Sequence, residues 1–281
     1  MDELSLGEGG TAFYRLRGRG GIKVWIHRHW EGEDLLGWLW GEMEGRRPDL
    51  RVERIPTCKG SRVFRIRLPR GDLYLKHFSY RSPMEVIKAL FRGSKGERAW
   101  RGGHLLRMLG FQSPPLVALG KRISLLSPPV DFVVTEAVPG LRLKQLLQDG
   151  FEKRLAERGW RKKDFLRILA LTVADLHRHG IYHGDLNPTN ILVDMEGDLS
   201  SATFCFLDNA RCRQMRKVPY ALRLRDLAGL NHPRVPAVSM RDRLRFFSLY
   251  RRHLGFQDPK EMVFAIWQRS MRPRKRQATL V

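Results

Sequence analysis

Cysteine is scarce in this sequence, and long apolar runs and internal repeats are missing. The 281 residues include only three cysteines, Cys58, Cys205 and Cys212. An odd and sparse set at no metal-ligand spacing argues against a disulfide framework and fits a reducing cytoplasm. No apolar run approaches the roughly 20 residues that span a bilayer, and Met1-Asp2-Glu3-Leu4 lacks the basic start and apolar core of a signal peptide. We therefore expect a cytoplasmic globular chain, long enough for one large domain or two lobes.

Acidic residues are also few relative to basic ones. Lys and Arg number 52 against 29 Asp and Glu, which gives a formal net charge of +23. The excess is uneven, because the sequence from Arg211 onward holds 18 Lys or Arg and 4 Asp or Glu. Such a field favours polyanions, whether nucleic acid, an anionic membrane face or a phosphorylated substrate. Charge alone does not choose among these partners, nor between them and a basic surface that serves only solubility.

Strand patterns dominate before about residue 139, and helical patterns dominate after it. Val63–Leu68 and Leu73–Lys76 flank a Pro/Gly/Asp turn, which predicts a β-hairpin. Ile22–His27 and Asp131–Val138 predict further strands. Helical spacing of apolar residues is found in the segments Glu33–Met43, Pro83–Phe91, Glu97–Leu109 and Asp164–His179. We expect Asp164 to be the N-cap of the last helix, and Gly110 and Gly180 to end the last two helices.

This pattern predicts an α+β fold with two lobes. Residues 1–139 would hold an N-terminal extension and a small β-rich lobe that binds a nucleotide. Residues 140–281 would form a larger, mainly helical lobe that ends in a basic tail, Arg269–Arg276. We place the hinge between the lobes near Glu136–Leu143.

The most informative segment is His183-Gly184-Asp185-Leu186-Asn187-Pro188-Thr189-Asn190. Two strand patterns follow it and end at Asp208, so a hairpin would bring Asp208 back beside Asn190. This layout is typical of phosphoryl transfer: Asp185 can take a proton from an acceptor hydroxyl, while Asn190 and Asp208 can hold magnesium on ATP phosphates. The alternative is that Asp185 and Asn190 only cap turns.

Lys76 ends a predicted strand and is the candidate for contacting the α- and β-phosphates of ATP. Its carboxylate partner is expected on a helix, with Glu97 as the first choice and Glu85 as the rival. Any of the three could instead be an ordinary surface charge.

Other residues have candidate roles around the nucleotide and the catalytic loop. Gly60 belongs to a turn, Thr57–Arg62, in the place of a phosphate-covering loop, although the turn is poor in glycine. Backbone groups near Glu136 could meet adenine. Asp226 could hydrogen-bond the backbone of the catalytic loop from beneath, and His183 would shape that loop through hydrogen bonds rather than act as a base or metal ligand.

With these residues in place, the chain resembles the lipopolysaccharide kinase family, bacterial enzymes of the protein-kinase-like fold that phosphorylate heptose or Kdo sugars of the lipid A inner core. The resemblance spans roughly Thr57 to Leu254. It rests on these segments: Leu73-Tyr74-Leu75-Lys76, Ser94-Lys95-Gly96-Glu97-Arg98-Ala99-Trp100 followed by Leu109-Gly110, Thr135-Glu136-Ala137-Val138-Pro139-Gly140, Tyr182-His183-Gly184-Asp185-Leu186-Asn187-Pro188-Thr189-Asn190-Ile191-Leu192, Leu207-Asp208-Asn209-Ala210-Arg211 and Arg225-Asp226-Leu227-Ala228. The last two favour this branch over protein kinases, which carry Asp-Phe-Gly instead.

The resemblance implies ATP and Mg²⁺ as requirements, Asp185 as base, Asn190 and Asp208 as metal ligands, and Lys76 as the phosphate contact. It also implies a glycolipid substrate, the lipopolysaccharide core, and peripheral contact with the anionic inner membrane on its cytoplasmic face. The first 50 or so residues and the basic tail match no part of the family that we identify. No nucleic acid partner is expected, and the sequence gives neither the oligomeric state nor the sugar.

A lipid contact is one reading of the segment from Val86 to Arg92. The apolar residues Val86, Ile87, Leu90 and Phe91 alternate there with Lys88 and Arg92, as in a basic amphipathic helix on a membrane. The other reading is that the same stripe packs on its own domain.

Two alternative functions stay open. One is a protein kinase of the RIO or Bud32 type that works beside RNA, which the positive charge would suit, although no interleaved aromatic pattern for base stacking is present. The other is a catalytically silent binding protein with the same fold.

Overall fold

The computed structural model describes residues 13–17, 21–30, 52–56, 60–148, 150–196, 202–231, 237–255 and 260–271. These ranges form a mixed α+β structure in two compact units. The first unit comprises the described residues up to Trp100 together with Pro115–Ala137, and the second comprises Arg101–Pro114 together with the described residues from Val138 onward. The sequence-based division at residue 139 lies close to the junction after Ala137. Arg101–Pro114 nevertheless groups with the second unit, because Leu106 is fully buried in the core of that unit.

A seven-stranded sheet forms the first unit, with the strand order β1-β2-β6-β7-β5-β4-β3. All neighbouring strands in it are antiparallel. The strands are β1 (Phe13–Arg17), β2 (Lys23–His27), β3 (Val52–Ile55), β4 (Ser61–Leu68), β5 (Gly71–Phe78), β6 (Leu116–Arg122) and β7 (Val130–Glu136). The hairpin predicted around the Pro/Gly/Asp turn is confirmed as β4–β5, and the two further predicted strands are confirmed as β2 and β7.

Both faces of the central strand β7 are buried. Phe132 and Val134 belong to one apolar cluster of the sheet, and Val133 belongs to the cluster on the opposite face, together with Trp100. Successive side chains of a strand point to opposite faces, so a run of apolar residues is what a strand covered on both sides needs. The register of β7 against β5 places Val133 opposite Lys76.

Helices make up most of the second unit, while one helix and the first turns of the next one belong to the first unit. In chain order the helices of the described segments are α1 (Pro83–Arg92), α2 (Lys95–Met108), α3 (Leu143–Leu146), α4 (Phe151–Ala156), α5 (Lys162–Arg178), α6 (Tyr220–Leu230), α7 (Met240–His253) and α8 (Lys260–Met271). Among the described helices, none combines the length and the apolar composition that a membrane-spanning segment needs. The predicted helix Glu33–Met43 lies outside the described residues.

The predicted helix ends are mostly confirmed. Gly110 and Gly180 follow α2 and α5 with φ of 80° and 75°, a region that favours glycine. The prediction that Asp164 caps α5 is wrong. The N-cap is Arg161, and Asp164 lies in the first turn, where its carboxylate accepts a hydrogen bond from Arg161 Nε at 2.6 Å.

Short strands in the second unit position the catalytic loop. They are β8 (Leu141–Arg142), β9 (Ile181–Tyr182), β10 (Ile191–Asp194), β11 (Thr203–Phe206) and β12 (Arg213–Gln214). β10 pairs with β11 and β8, and β9 pairs with β12, all antiparallel. Ile191, Val193, Phe204 and Phe206 of the β10–β11 hairpin enter the same core as the buried face of α5, so both ends of the loop are held by packing.

Candidate active site

A buried carboxylate anchors the loop that carries the predicted catalytic residues. Asp226 on α6 is only 1% exposed, and it accepts hydrogen bonds from the backbone N–H groups of His183 (2.9 Å) and Gly184 (3.0 Å). His177 Nε2 lies 3.3 Å from the same carboxylate, and the Tyr250 hydroxyl lies 2.6 Å from His177 Nδ1. Hydrogen bonds to an ionised group are stronger than neutral ones. The predicted supporting role of Asp226 is therefore confirmed.

Gly184 takes a backbone conformation that other residues rarely adopt. Its φ is 79°, and a Cβ atom there would lie 2.7 Å from Arg211 Cβ and 3.0 Å from Arg211 O. Both the conformation and the space therefore require glycine at this position. The close approach packs the start of the catalytic loop against the segment that follows Asp208.

Asp185 and Asn190 are joined through the backbone of the catalytic loop. Asn190 Nδ2 donates to Asp185 O at 2.9 Å, and Asn187 Nδ2 donates to the same oxygen at 2.9 Å. Asn187 also caps a short 3₁₀ turn, Pro188–Asn190, by accepting from Thr189 N at 2.9 Å. Because the amide nitrogen of Asn190 is engaged in this way, its Oδ1 is the atom that remains for a cation.

The β10–β11 hairpin brings Asp208 next to Asn190, as the sequence predicted. Ile191 pairs with Phe206, and Leu207 N donates to Asn190 O at 2.9 Å just beyond the paired strands. Asp208 has φ of 58° and ψ of 51°, and within the described ranges it is the only non-glycine residue with positive φ. Such strained positions concentrate at functional sites.

His183 is a buried, neutral member of the loop. Burial lowers its pKa from the ordinary value, while the nearby carboxylates of Asp226, Asp185 and Asp208 act in the opposite direction. Its Nδ1 accepts from Asp185 N at 3.3 Å, which places the ring proton on Nε2. The prediction that His183 shapes the loop through hydrogen bonds is confirmed.

The residue after Asp208 has a structural role that we did not predict. Asn209 is 6% exposed, and its Nδ2 donates to Ser113 Oγ (2.9 Å) and Phe206 O (3.1 Å). A Cβ atom on Gly102 of α2 would lie 2.1 Å from Asn209 O. The side chain of Asn209 and the missing side chain of Gly102 together hold the Asp208 segment. The only sequence signal was the Asp-Asn pair itself, since Gly102 and Ser113 are distant along the chain.

In the first unit, Lys76 lies on β5 between Val63 of β4 and Val133 of β7. Its Nζ lies 5.4 Å from the centroid of the Phe78 ring. Lys76 is thus on a strand, as the sequence predicted, although β5 continues to Phe78 and does not end at Lys76. Its contact with phosphates stays a prediction.

Glu97, the first choice as the partner of Lys76, has two well-defined contacts in the first turn of α2. It forms a capping box with Ser94, in which Glu97 N donates to Ser94 Oγ (3.0 Å) and Ser94 N donates to Glu97 Oε2 (2.8 Å). Its other oxygen pairs with Lys121 Nζ. Ser94-Lys95-Gly96-Glu97 carries the S-x-x-E signature of such a box, a structural role that we did not predict for these residues. The pairing of Glu97 with Lys76 stays a prediction.

The rival carboxylate, Glu85, is also engaged near its own helix. It lies in the first turn of α1, where its carboxylate pairs with Lys95 Nζ at 2.8 Å. That ion pair and a hydrogen bond from Arg81 N at 3.3 Å lower the pKa of Glu85, with the Lys95 contact as the largest cause. The geometry gives Glu85 a local stabilising role.

The predicted nucleotide contacts at Gly60 and Glu136 are partly described. Residues 57–59 of the phosphate-covering turn lie outside the described residues. Gly60 has φ of 121°, and its carbonyl accepts from Ser79 N at 3.1 Å. Glu136 N donates to Pro115 O at 2.9 Å, and the Glu136 carboxylate accepts from Trp30 Nε1 at 3.1 Å. A purine contact would therefore use the Glu136 carbonyl or a later backbone group.

Asp208 and Asn190 form a donor set that suits magnesium. Mg²⁺ prefers oxygen ligands, keeps several waters, and usually takes one or two protein groups plus substrate phosphates. Across the part of the chain that the structure describes, no group of three or more His, Cys, Asp or Glu side chains could hold a metal ion. An ion bound between Asp208 and Asn190 would thus obtain further ligands from nucleotide and water.

Comparison with known proteins finds a kinase family whose matched region contains the catalytic loop described above. The model of the lipopolysaccharide kinase (Kdo/WaaP) family matches residues 97–250, which include the whole catalytic loop, Asp208 and Asp226. A solved structure described as WaaP in complex with acyl carrier protein is similar with a TM-score of 0.57 and 22% identity, over 86% of this chain and 94% of that chain. At that identity the likeness shows the fold. No curated protein matches the chain by sequence.

Proposed function

The chain belongs to the lipopolysaccharide kinase (Kdo/WaaP) family, and we propose that it transfers the γ-phosphate of ATP to a sugar hydroxyl, of heptose or Kdo, in the lipopolysaccharide inner core. The observation that carries the proposal is the junction of the catalytic loop with the β10–β11 hairpin. There Asn190 contacts the backbone of both Asp185 and Leu207, so the three predicted side chains lie on adjoining backbone.

Asp185 is the general base of the proposed reaction. Asn187 Nδ2 lies 3.5 Å from Asp185 Oδ1, which leaves Oδ2 to receive the proton of the acceptor hydroxyl. The hydrogen bonds that Asp226 accepts from the backbone N–H groups of His183 and Gly184 hold the preceding backbone, and with it the Asp185 carboxylate, in place. A positioned base of this kind typically contributes about 10²- to 10⁴-fold to the rate.

Asp208 and Asn190 Oδ1 would hold magnesium, and Lys76 would contact the α- and β-phosphates. Bound magnesium would neutralise charge that develops on the transferred phosphoryl group. Glu97 is the proposed partner of Lys76, while Gly60 and the backbone near Glu136 are the proposed nucleotide contacts. Because the acceptor is a glycolipid, we place the enzyme on the cytoplasmic face of the inner membrane, in peripheral contact with its anionic lipids.

The test is phosphate transfer from radiolabelled ATP to deacylated lipopolysaccharide inner core in the presence of magnesium. Asp185→Ala should lower transfer by about 10²-fold or more while nucleotide affinity changes little. Asp208→Ala should weaken magnesium-nucleotide binding as well. Asp194→Ala is the matched control, because Asp194 lies at the far end of the same hairpin, opposite Thr203.

Each outcome of this experiment has a clear meaning. Label in the sugar fraction that depends on Asp185 supports the proposal. Label only in protein would favour a RIO- or Bud32-like protein kinase, and nucleotide binding without transfer would favour a silent binding protein. Full activity of Asp185→Ala or Asp208→Ala would refute the assigned roles.

A cavity in the second unit favours a second proposal, which concerns a partner. Helices α3, α5, α6, α7 and α8 line a half-open cavity of about 590 Å³, within the range of small-molecule sites, roughly 300–1,000 Å³. Its walls are mainly apolar, including Leu169, Leu227, Phe247 and Ile266. Since the similar WaaP structure is a complex with acyl carrier protein, we propose that this chain also binds an acyl carrier protein and that the cavity takes its acyl chain.

Thermal unfolding with acylated and unacylated carrier protein tests the partner. The melting temperature should rise with the acylated carrier and change little with the unacylated one. Leu230→Trp would fill the cavity and remove the rise, whereas Met108→Trp, at an exposed position, would keep it. Equal stabilisation by both carriers, or an undiminished rise in Leu230→Trp, would contradict the proposal.

A further inference from the structure

The outward face of α1 is apolar, although surface helices normally expose polar residues. Val86 and Ala89 face inward and are buried. The opposite face of the helix therefore does not need apolar side chains for packing in the core. That opposite face nevertheless carries Met84, which is 55% exposed, and Phe91, which is 85% exposed. They lie two turns apart on one side of the helix. Leu90 adds a flanking apolar side chain that is 52% exposed.

Basic side chains lie along the same outward face. Lys88 is exposed and lies one turn after Met84 and one turn before Phe91. Arg92 is also exposed and lies one turn after Lys88. Glu85 is the acidic residue of α1, and its charge is paired with Lys95. The face therefore combines projecting apolar side chains with a positive charge.

A second apolar projection comes from the tip of the β6–β7 hairpin. Residues 123–129 connect the two strands, and within them Leu125 is 61% exposed and Leu126 is fully exposed. Leu126 N donates to Ser124 Oγ at 3.0 Å, and the Arg122 guanidinium donates to Pro128 O at 3.2 Å. These hydrogen bonds give the tip a defined turn, from which the two leucines project.

A single buried carboxylate ties the hairpin tip to both ends of α1. Asp131, at the start of β7, accepts from Ser94 Oγ (2.7 Å) and Gly96 N (3.0 Å), which follow α1, and from the Tyr80 hydroxyl (2.6 Å), which precedes it. A Cβ atom on Gly96 would lie 2.4 Å from Asp131 Oδ1, so the approach depends on glycine. The outward face of α1 and the hairpin tip therefore lie at the same end of the sheet; we call the two together the apolar end.

We propose that the apolar end is a membrane-contact surface that inserts Phe91 and Leu126 into the interface of an anionic phospholipid bilayer. Large apolar side chains flanked by Lys and Arg are the features that place a protein segment in a bilayer interface, and basic residues near the surface are attracted to anionic lipid. Lys88, Arg92 and Arg122 provide that attraction at the apolar end, on a chain whose net charge is +23.

This inference deepens the proposed location of the enzyme by naming the surface that meets the membrane. It uses only residues of the first unit and none of the residues proposed for catalysis or for magnesium binding. Its test requires neither nucleotide nor sugar acceptor, so failure of the membrane contact and failure of the kinase assignment are distinguishable.

The experiment is co-sedimentation of the full chain with vesicles of equimolar phosphatidylglycerol and phosphatidylcholine, and with vesicles of phosphatidylcholine alone. Binding should require the anionic lipid and should fall as salt rises, because salt screens the basic residues. Phe91→Gln and Leu126→Ser should each weaken binding by about tenfold, and the double variant should weaken it further. Met108→Gln is the matched control, since Met108 is 59% exposed but lies at the end of α2 in the second unit.

Three results would overturn the proposal. The first is wild-type binding by the double variant, the second is equal binding to both kinds of vesicle, and the third is no vesicle binding at all. In the last case, light scattering that shows self-association lost in Phe91→Gln would assign the apolar end to a second copy of the chain. Circular dichroism of each variant checks the fold, which substitutions at exposed positions should leave intact.

Discussion

Replacing Asp226 by Asn would test how the catalytic loop is held in place. The substitution keeps the size of the side chain but removes its charge and one of its two acceptor oxygens. In the native protein His183 N and Gly184 N each donate to a different oxygen of this carboxylate. An amide can accept one of these hydrogen bonds, and its NH₂ group would then face the other N–H as a second donor.

The cost follows from the number and kind of hydrogen bonds lost. Hydrogen bonds to a charged group contribute about 1.5–3 kcal/mol each, and a neutral one contributes about 1 kcal/mol. Losing two charged bonds and keeping one neutral bond therefore predicts a destabilisation of about 2–5 kcal/mol. This is a large part of the total stability of a typical domain, about 5–15 kcal/mol. A shift of the loop by about 1 Å would also lower the rate of transfer by about 10²-fold.

Urea unfolding and phosphate transfer measure the two effects separately. The rate should be determined well below the unfolding transition, so that a loss of activity reflects loop position rather than unfolded protein. Asp164→Asn is the matched control. Asp164 forms an exposed ion pair with Arg161, and such pairs contribute about 0–1 kcal/mol. If Asp226→Asn were as stable and as active as the control, the buried carboxylate would not be the anchor that we describe.

Two further predictions concern the close approach of Gly102 to Asn209 and the partly buried side chain of His77. Gly102→Ala should destabilise the protein by about 1–3 kcal/mol and weaken magnesium-nucleotide binding, because the new Cβ would lie 2.1 Å from Asn209 O, next to Asp208. Arg101→Ala on the same helix is the control. If Gly102→Ala instead made the protein more stable, as helix propensity alone would suggest, the prediction would be wrong. Burial and the charge of Arg62 lower the pKa of His77 to about 4 from an ordinary 6.5. The unfolded chain then binds a proton that the folded chain does not, so stability is full above pH 6.5 and falls by about 3 kcal/mol as the pH drops to about 4. His77→Gln should remove that part of the acid dependence in urea titrations at several pH values, and an unchanged dependence would refute the assignment.

The parts of the site that are local in the chain could be predicted from the sequence. Asn190 and Asp208 flank two adjacent strand patterns, and antiparallel pairing of neighbours brings their ends together whatever the rest of the fold does. The supporting role of Asp226 could not be predicted from local pairing alone, because its hydrogen-bond partners lie in another element. It was predicted for an Asp near the start of the helical stretch that begins at Arg225-Asp226-Leu227, and the hydrogen bonds that it accepts from the loop bear it out.

Other features depend on tertiary packing that the sequence does not state. Asp131 gathers Tyr80, Ser94 and Gly96 from distant positions, and nothing in a strand pattern marks a buried carboxylate with such partners. Asn209 could not be predicted for the same reason, since it contacts Gly102 of α2 and Ser113 in the segment after α2. In both cases several elements must pack before the polar group finds its hydrogen bonds.

Two sequence patterns show how one pattern can be consistent with more than one structural role. Glu97 matched the helix carboxylate that a phosphate-binding Lys requires, yet Ser94 and Glu97 also fit a capping box, and that box is present. The stripe from Val86 to Phe91 was treated as one apolar face. In the structure it is divided, because Val86 packs inward at 7% exposure and Phe91 points outward at 85%.

Mass spectrometry of lipopolysaccharide core tests the central claim most directly. Core should be compared from cells with the protein, cells without it, and cells that carry Asp185→Ala in its place. Our account predicts that core from cells without the protein lacks one phosphate, and that the wild-type protein restores it whereas Asp185→Ala does not. Core of identical phosphate content in all three would contradict the account.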